Sequence, residues 1–190
     1  MSGWWIASYV VLWFLVIALT LLVLALARQL GTLHLRLGPR GALEMDDEGP
    51  PLGEAPPRVD AVDVDGRPVT IGGPGAQQFL LFVSPGCPVC REVVPSVRVL
   101  AQSGAMEAVV VADTEPNELP REIDARRFGA VLVAQPELAT TYHVPGTPYA
   151  VVLDSVGVVQ AKGTVNNLEQ MEGLLDTARR RLAGAASPPA

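Results

Sequence analysis

The sequence contains little of what small disulfide-rich, metal-binding and nucleic-acid-binding proteins need. It has two cysteines and two histidines among 190 residues, which leaves no disulfide framework and no set of four ligands spaced for a structural zinc ion. The net charge is -6, and the 14 basic residues, of which only Lys162 is a lysine, are scattered among the acids. This distribution argues against a nucleic-acid partner. We therefore expect no metal, no bound cofactor and no nucleic acid.

Charged residues are also absent from a long stretch near the amino terminus. Residues 4–27 carry none, and as a helix these 24 residues would be about 36 Å long, more than the roughly 30 Å of a membrane's hydrocarbon core. Tryptophans near its start and Arg28 after its end suit the two membrane interfaces. We predict a single transmembrane anchor over residues 1–30, in contact with lipid through residues 4–27.

A cleaved signal peptide is the alternative for this segment, since Ala25-Leu26-Ala27 resembles a cleavage site. No positive residue precedes the apolar run, however, and the run is longer than the core of an ordinary signal peptide. Orientation is a separate question. Arg28, Arg36 and Arg40 follow the anchor, and the positive-inside rule taken alone would place the rest of the chain in the cytoplasm.

Composition changes again after the anchor. Residues 38–57 are dense in glycine, proline and acids, which is typical of an extended, semi-stiff connector. We accordingly expect a membrane-proximal helix end and linker over residues 31–58, a folded domain over residues 59–183 and a disordered tail over residues 184–190.

Hydrophobic periodicity within the domain predicts alternating strands and helices. Asp65-Gly66 is a turn signal between two short strands, and Pro95 interrupts an otherwise helical pattern. The order predicts an α/β fold with helices on both faces of its sheet. The predicted strands are residues 61–64, 68–71, 79–83, 108–112, 130–133, 149–153 and 156–161, and the predicted helices are residues 89–100, 119–128, 137–142 and 167–182.

The two cysteines occur together in Cys87-Pro88-Val89-Cys90, where a predicted strand gives way to a helix. On the first helical turn this spacing brings the Cα atoms to about 5 to 6 Å, within disulfide range. Backbone N–H groups at a helix start stabilise a thiolate, so we predict Cys87 as the attacking sulfur and the more buried Cys90 as the resolving one. A purely structural disulfide is the alternative, but so short a loop removes little chain entropy.

A second feature lies far along the chain. Thr147-Pro148 leads directly into a predicted strand, and Pro95 lies five residues after Cys90. A C-x-x-C helix kinked at this offset, with a proline before a later strand, resembles the thioredoxin family. The resemblance implies a central mixed sheet flanked by helices, here with an N-terminal β-hairpin extension. It also implies that Pro148 is cis, lies against the disulfide and leaves the backbone of Thr147 free to pair with a substrate peptide.

Two features of thioredoxin itself are missing. Pro85 and Gly86 stand where a tryptophan would precede the motif, and Leu81 occupies the position of a buried acid. Glu92 is close in sequence, but we interpret it as a solvated helix residue. These departures disfavour a cytosolic thioredoxin.

The chain is also similar to the membrane-tethered redoxins typified by TlpA and ResA, and more closely to the MauD family of methylamine-utilisation accessory proteins. The likeness covers nearly the whole chain and includes segments outside any general thioredoxin motif. Besides the cysteine motif, these segments are Ala27-Arg28-Gln29-Leu30-Gly31, Leu33-His34, Gly41-Ala42-Leu43, Phe82-Val83-Ser84-Pro85, Gly146-Thr147-Pro148-Tyr149, Ala161-Lys162-Gly163 and Val165-Asn166.

The MauD resemblance implies a thiol-disulfide oxidoreductase or isomerase that assists disulfide formation in an exported multi-disulfide partner. By family precedent the partner is the small subunit of methylamine dehydrogenase, and an unidentified upstream protein exchanges electrons with the cysteine pair. Because such a partner is assembled outside the cytoplasm, the resemblance implies an extracytoplasmic domain despite the arginines after the anchor.

Three alternative functions remain open. A TlpA-like or ResA-like reductase in cytochrome c maturation would use the same cysteines, and a reduction potential of about -270 mV, not about -120 to -180 mV, would favour it. A peroxidase-like redoxin is suggested by Ser84, three residues before Cys87, although Leu80 replaces the upstream proline of that class. The third alternative is a non-catalytic membrane-bound assembly factor, which would function without Cys87.

Three further polar residues receive structural interpretations. In the predicted final hairpin, Lys162 is expected to be an edge-strand charge, and Asn166 is expected to cap the last helix. His143 is expected to be a loop residue near Pro148, not an acid or base.

Overall fold

The computed structural model describes residues 3–36 and 48–185. The chain separates into two compact units that divide between residues 38 and 39. In chain order the elements are α1 (Gly3–Arg36), β1 (Val59–Val62), β2 (Pro68–Ile71), β3 (Gln78–Val83), α2 (Pro88–Val93), α3 (Val97–Ser103), β4 (Glu107–Ala112), β5 (Val131–Ala134), α4 (Glu137–Thr141), β6 (Tyr149–Leu153), β7 (Val159–Thr164) and α5 (Leu168–Ala185), together with short 3-10 turns.

The first unit contains the helix α1. Its first 20 residues, Gly3–Leu22, have a mean hydropathy of 2.4, and none of this stretch is buried. It is long and apolar enough to cross a membrane. This agrees with a membrane anchor, and a signal sequence near the amino terminus would have the same properties.

The second unit is built on a mixed five-stranded sheet with the strand order β5-β4-β3-β6-β7. Strands β3, β4 and β5 are parallel, whereas β6 runs antiparallel to β3 and β7 runs antiparallel to β6. The hairpin of β1 and β2 forms a separate two-stranded sheet. These are the mixed sheet and the N-terminal hairpin that the family resemblance implied.

The central strand β3 is buried along its whole length because both faces of the sheet are covered. Phe79, Leu81 and Val83 belong to one core cluster, which includes residues of α2, α3 and α5. Leu80 and Phe82 belong to the other, with residues of α4 and the hairpin. A strand with two buried faces requires a continuous apolar run, and the predicted position of this strand is confirmed.

The helix after the cysteine motif is interrupted where predicted. α2 ends at Val93, the 3-10 turn Val94–Ser96 contains Pro95, and α3 begins at Val97. Pro95 lacks the backbone N–H that a continuous α-helix would need, so the helix breaks there. Val94 and Val97 remain fully buried on either side of the break.

The prediction of an amphipathic helix over residues 119–128 is wrong. This stretch forms the 3-10 turns Arg121–Ile123 and Ala125–Phe128. Pro120 and Asp124, which precede the two turns, have extended backbone conformations. The Asp124 carboxylate accepts a hydrogen bond from the N–H of Arg126, which starts a new turn in place of a continuing helix.

The first strand of the last hairpin is confirmed at Tyr149–Leu153, but its second strand begins later than predicted. Its second strand β7 starts at Val159 and not at residue 156. The carboxylate of Asp154 accepts hydrogen bonds from the N–H groups of Val156 and Val158, both over 2.9 Å, and so holds these residues in a turn. Side chains of this short polar type favour turns over strands when a nearby backbone donor is within reach.

The final helix α5 differs from its prediction at both ends. Its cap is Asn167 and not Asn166, since the side-chain oxygen of Asn167 accepts a hydrogen bond from the N–H of Gln170. α5 continues to Ala185, so two residues of the predicted tail are helical. Residues 186–190 lie outside the described residues.

Residues 48–54, which we call the strap, are not a free connector. The N–H of Gly53 donates to the carbonyl of Val159, and the N–H of Val159 donates to the carbonyl of Glu54, both over 2.9 Å. Pro50 within the strap is buried. A composition rich in proline disfavours a helix but does not exclude packing, and the edge strand β7 offers backbone groups to such a segment.

Residues 37–47 of the predicted linker lie outside the described residues, and the domain limits at 59 and 183 stay a prediction.

Gly157 is expected to tolerate no side chain. Its φ is +86°, and a Cβ there would lie 2.8 Å from the Cα of Gly73. Gly157→Ala should therefore lower the free energy of unfolding by about 3 kcal/mol or more, from left-handed strain plus overpacking. Gly66→Ala, with φ +84° but open space around it, should cost only about 1 kcal/mol. Gly75→Ala, where neither condition holds, is the matched control, and equal stability of all three variants under urea-dependent proteolysis would contradict this account.

The hydroxyl of Tyr142 is buried and has no hydrogen-bond partner among the described residues. Burial raises the pKa of Tyr142 to about 12. Tyr142→Phe should raise the free energy of unfolding at pH 7 by about 1 kcal/mol, because it removes an unsatisfied polar group. Since the folded-state pKa is raised, the wild-type tyrosine contributes stability that is fully present below the ordinary tyrosine pKa of 10.0 and is lost as the pH rises toward 12.

The phenylalanine variant should lack that part of the alkaline loss of stability. Tyr149→Phe is the control for this prediction, because the hydroxyl of Tyr149 donates a hydrogen bond to the carbonyl of Glu48 and its removal should be destabilising. Urea midpoints of the full-length protein between pH 7 and pH 12 measure both effects, and a destabilised Tyr142→Phe at pH 7 would contradict the prediction.

Candidate functional site

The cysteine pair lies at the start of α2, shortly after the end of β3. Cys87 is the N-cap residue and has an extended backbone, and Pro88 occupies the first helical position. Cys87 and Cys90 form a disulfide, with their Cα atoms 5.3 Å apart. The N–H of Cys90 also donates a hydrogen bond to the sulfur of Cys87 over 3.0 Å.

The two sulfurs have different surroundings. Cys90 is fully buried and belongs to the same core cluster as Val93 and Val97. Cys87 is only partly buried, and Pro88 and Val89 next to it are exposed. A thiol from another protein can therefore approach Cys87 across an apolar rim, whereas Cys90 is closed off from solvent.

The loop before β6 brings the predicted Thr147-Pro148 pair to the disulfide. The peptide bond between these residues is cis, the conformation that the family resemblance implied. The carbonyl oxygen of Thr147 lies 3.7 Å from Sγ of Cys87. Pro148 is buried, and Thr147 is partly accessible. Two segments that are 60 residues apart in sequence thus meet at one sulfur.

Ser84 connects these two segments. Its hydroxyl oxygen lies 2.8 Å from the hydroxyl oxygen of Thr147, and its carbonyl accepts a hydrogen bond from the N–H of Cys87 over 3.2 Å. One residue therefore fixes both the start of the cysteine motif and the residue before Pro148. The sequence singles out Ser84 only through its spacing from Cys87 and gives no sign of a contact with a residue 63 positions later.

The side chains considered as possible proton carriers do not form part of this arrangement. Leu81 is fully buried and apolar, and Glu92 is exposed on α2. His143 is exposed in the loop before β6, with a positive φ of 51°. Among the residues that the structure describes, no group of three His, Cys, Asp or Glu side chains could hold a metal ion. The hydrogen bond from the N–H of Cys90 is the clearest stabilisation that the fold offers to a thiolate at Cys87.

The expectation of a surface charge at Lys162 is wrong. Lys162 lies in the edge strand β7, but its side chain is 0% exposed. Its ammonium group donates a hydrogen bond over 2.7 Å to the carbonyl of Glu48, in the strap. The strap covers the side of β7 that would otherwise face water, and the composition of residues 38–57 gave no sign of this covering.

Two curated relatives extend over almost the whole chain, although no family model matches it. The methylamine utilization protein MauD of Paracoccus denitrificans is 36% identical over 187 residues, which are 96% of this chain and 93% of the relative. The methylamine utilization protein MauD of Methylobacillus flagellatus is 38% identical over 186 residues, which are 94% of this chain and 88% of the relative.

Solved structures with the same fold have lower sequence identity. A thio-disulfide isomerase from Thermus thermophilus has a TM-score of 0.51 at 24% identity, over 73% of this chain and 99% of that chain. The peroxidoxin BcpB from Mycobacterium tuberculosis has a TM-score of 0.56 at 18% identity, over 68% of this chain and 96% of that chain. These likenesses show the thioredoxin-like fold and, because they include two different chemistries, they do not choose between them. The long alignments with the curated relatives are more specific, and by them this chain belongs to the MauD family, as a thiol-disulfide redox protein of thioredoxin-like fold with its cysteine pair at Cys87 and Cys90.

Proposed function

We propose that this protein is a membrane-anchored thiol-disulfide oxidoreductase that helps to form or rearrange disulfides in an exported partner. The observation that carries the proposal is the unequal pair, with an accessible Cys87 at the N-cap of α2 and a buried Cys90 one turn later. Such a pair can exchange with a partner through one sulfur at a time. Membership of the MauD family supports a partner from methylamine utilisation, and we propose the methylamine dehydrogenase small subunit.

The proposed oxidation proceeds in two exchanges. A thiolate of the partner attacks Sγ of Cys87, the Cys87–Cys90 bond breaks, and Cys90 leaves as a thiolate that takes up a proton. A second thiolate of the partner then attacks the partner's own sulfur in the mixed disulfide and releases Cys87 as a thiolate. The partner gains a disulfide, and the two electrons remain on the reduced pair. An upstream protein disulfide must then reoxidise Cys87 and Cys90.

The same residues can carry out rearrangement when the pair starts reduced. The thiolate of Cys87 then attacks a wrong disulfide of the partner and releases one partner thiolate. Another partner thiolate can displace Cys87 and complete the rearrangement, or Cys90 attacks Cys87, re-forms the Cys87–Cys90 disulfide and leaves the partner with two thiols. The N–H of Cys90, which lies 3.0 Å from the Cys87 sulfur, stabilises the charge in both directions. Thr147, in contact with Cys87 and partly accessible, is proposed to pair through its backbone with an extended segment of the partner.

Peroxide chemistry is less well supported by this arrangement. In this structure the hydroxyl of Ser84, on which the peroxidase alternative rested, is paired with the hydroxyl of Thr147. Ser84 is better explained as a residue that positions the loop next to the disulfide.

Leu81 lies in the buried core, so β3 offers no carboxylate to take the proton of Cys90. This favours slow, partner-dependent exchange over general thiol reduction.

The proposed location of the domain is the extracytoplasmic side of the membrane, with α1 as the anchor. Disulfides persist in oxidising compartments, and a partner with several disulfides must acquire them there. The three arginines after the anchor argue for the other side, and the proposed exported partner is the reason that we place the domain outside.

Replacing the resolving cysteine should trap the partner. Cys90→Ser leaves Cys87 able to attack but removes the sulfur that would release it, so a mixed disulfide through Cys87 should accumulate in cells that express the partner. Non-reducing electrophoresis with mass spectrometry of the conjugate measures this. Cys87→Ser should form no conjugate and should lower partner maturation at least tenfold. Full maturation with Cys87→Ser would leave only the assembly-factor alternative.

Thiol trapping in intact cells tests location and redox state together. With the domain outside the cytoplasmic membrane, a membrane-impermeant maleimide should label the partly accessible Cys87 after mild reduction, whereas the buried Cys90 should react only after denaturation. Without reduction, little labelling is expected for an oxidase, because the pair is then mostly a disulfide. The Cys87→Ser, Cys90→Ser double variant is the background control. Labelling only after lysis would place the domain in the cytoplasm and contradict the proposed location.

A further inference from the structure

Lys162 is the one lysine of the sequence, and it is fully buried. It lies in β7 opposite Val151 of β6, on the face of the sheet where Val151 joins the second core cluster. An ammonium group removed from water is strongly destabilising unless hydrogen bonds compensate it. A lysine in such a place therefore needs a structural or functional reason.

Two side chains converge on one carbonyl oxygen of the strap. Nζ of Lys162 donates to the carbonyl of Glu48 over 2.7 Å, and the hydroxyl of Tyr149 donates to the same oxygen over 3.0 Å. Tyr149 is the first residue of β6 and directly follows Pro148. The strand that carries the site loop is thus joined to the strap at its first residue.

The strap fits closely over Tyr149. Gly49 has a φ of +78°, and a Cβ at this position would collide with the hydroxyl of Tyr149 and lie 2.9 Å from its Cζ. The other end of the strap is held by the two backbone hydrogen bonds between Gly53, Glu54 and Val159. Because both ends are held, the strap is a fixed wall and not a flexible leader.

A cavity of about 410 Å³ lies between the strap and the loop before β6, which continues to Thr147 beside the disulfide. Glu48, Gly49 and Pro51 of the strap line one side, and His143 and Pro145 line the other. Pro145 is two residues before Thr147, so their Cα atoms are at most about 7 Å apart. Since Thr147 contacts Cys87, the cavity lies within reach of one or two residues of an extended chain bound at that sulfur.

We propose that this cavity is a subsite for a partner side chain next to the partner's reactive cysteine, and that Lys162 is the positioning residue that holds the strap wall. The inference rests on the proposed function. The occupant should be apolar or aromatic, because three of the five lining residues, two prolines and a glycine, present mainly carbon to the cavity. Lys162 acts through the backbone of Glu48 and does not touch the substrate.

The experiment compares two reduced dithiol peptides that differ only in phenylalanine or glycine two residues before the first cysteine. The oxidised full-length protein in detergent, present in excess over the peptide, should oxidise the phenylalanine peptide in a single turnover with a second-order rate constant about tenfold higher, the two electrons passing to the Cys87–Cys90 pair. Dithiothreitol is oxidised in parallel, because it reports the exchange at Cys87 without a side chain in the cavity. Failure with dithiothreitol would count against the proposed function, whereas equal rates with the two peptides would overturn the subsite alone.

Two variants locate the effect. Lys162→Met keeps the length of the side chain but donates no hydrogen bond, and it should abolish the preference for phenylalanine while dithiothreitol oxidation persists. Pro51→Asp places a charge at an exposed position of the cavity wall and should do the same even if Lys162→Met fails to fold. Pro74→Asp, at an exposed proline outside the lining of the cavity, is the matched control and should retain the preference.

Retention of the preference in Pro51→Asp would overturn the cavity as the subsite. Retention in a folded Lys162→Met would overturn the positioning role of Lys162.

Discussion

The antiparallel pairing of β3 with β6 is the interaction on which the site depends. Phe82, near the end of β3, is paired with Tyr149, at the start of β6. The chain therefore leaves β3 toward Ser84 and Cys87 at the same edge of the sheet where it enters β6 from Thr147 and Pro148. A slip of one residue in this register would turn the apolar side chains of β6 to the opposite faces of the sheet. The two core clusters thus specify the meeting of disulfide and loop, and the second cluster also holds Tyr142 at the start of that loop.

Where the sequence predicts the fold well, the relevant signal is local. β3 is an apolar run that only a strand with two buried faces accommodates, Pro95 lacks the one donor that a helix needs, and the C-x-x-C spacing is itself a distance constraint. The cis bond before Pro148 is not of this kind, because a lone proline does not reveal it and the family resemblance did. The disulfide site was therefore within reach of sequence reasoning, partly through physics and partly through likeness.

The errors arise where a side chain competes with the backbone or where segments distant in sequence meet. Asp124 and Asp154 each accept backbone hydrogen bonds and make turns of stretches that read as a helix and a strand. The position of Lys162 fits the apolar-polar alternation of an edge strand. Whether that edge faces water depends on the strap, which lies more than 100 residues earlier in the sequence. Periodicity describes neighbours along the chain, so it could not anticipate that covering. The hydroxyl pair of Ser84 and Thr147 was unpredictable for the same reason.

The hydrogen bond from Lys162 to Glu48 also determines where the folded unit can be cut. Composition suggests that a soluble fragment could begin at residue 59, after the last of the linker prolines. Such a fragment would lack the strap residues that bind Val159, and it would deprive a buried ammonium group of the carbonyl of Glu48 as an acceptor. A fragment that keeps these contacts must therefore include Glu48, so a segment that composition marks as a tether also supports the buried edge of the sheet.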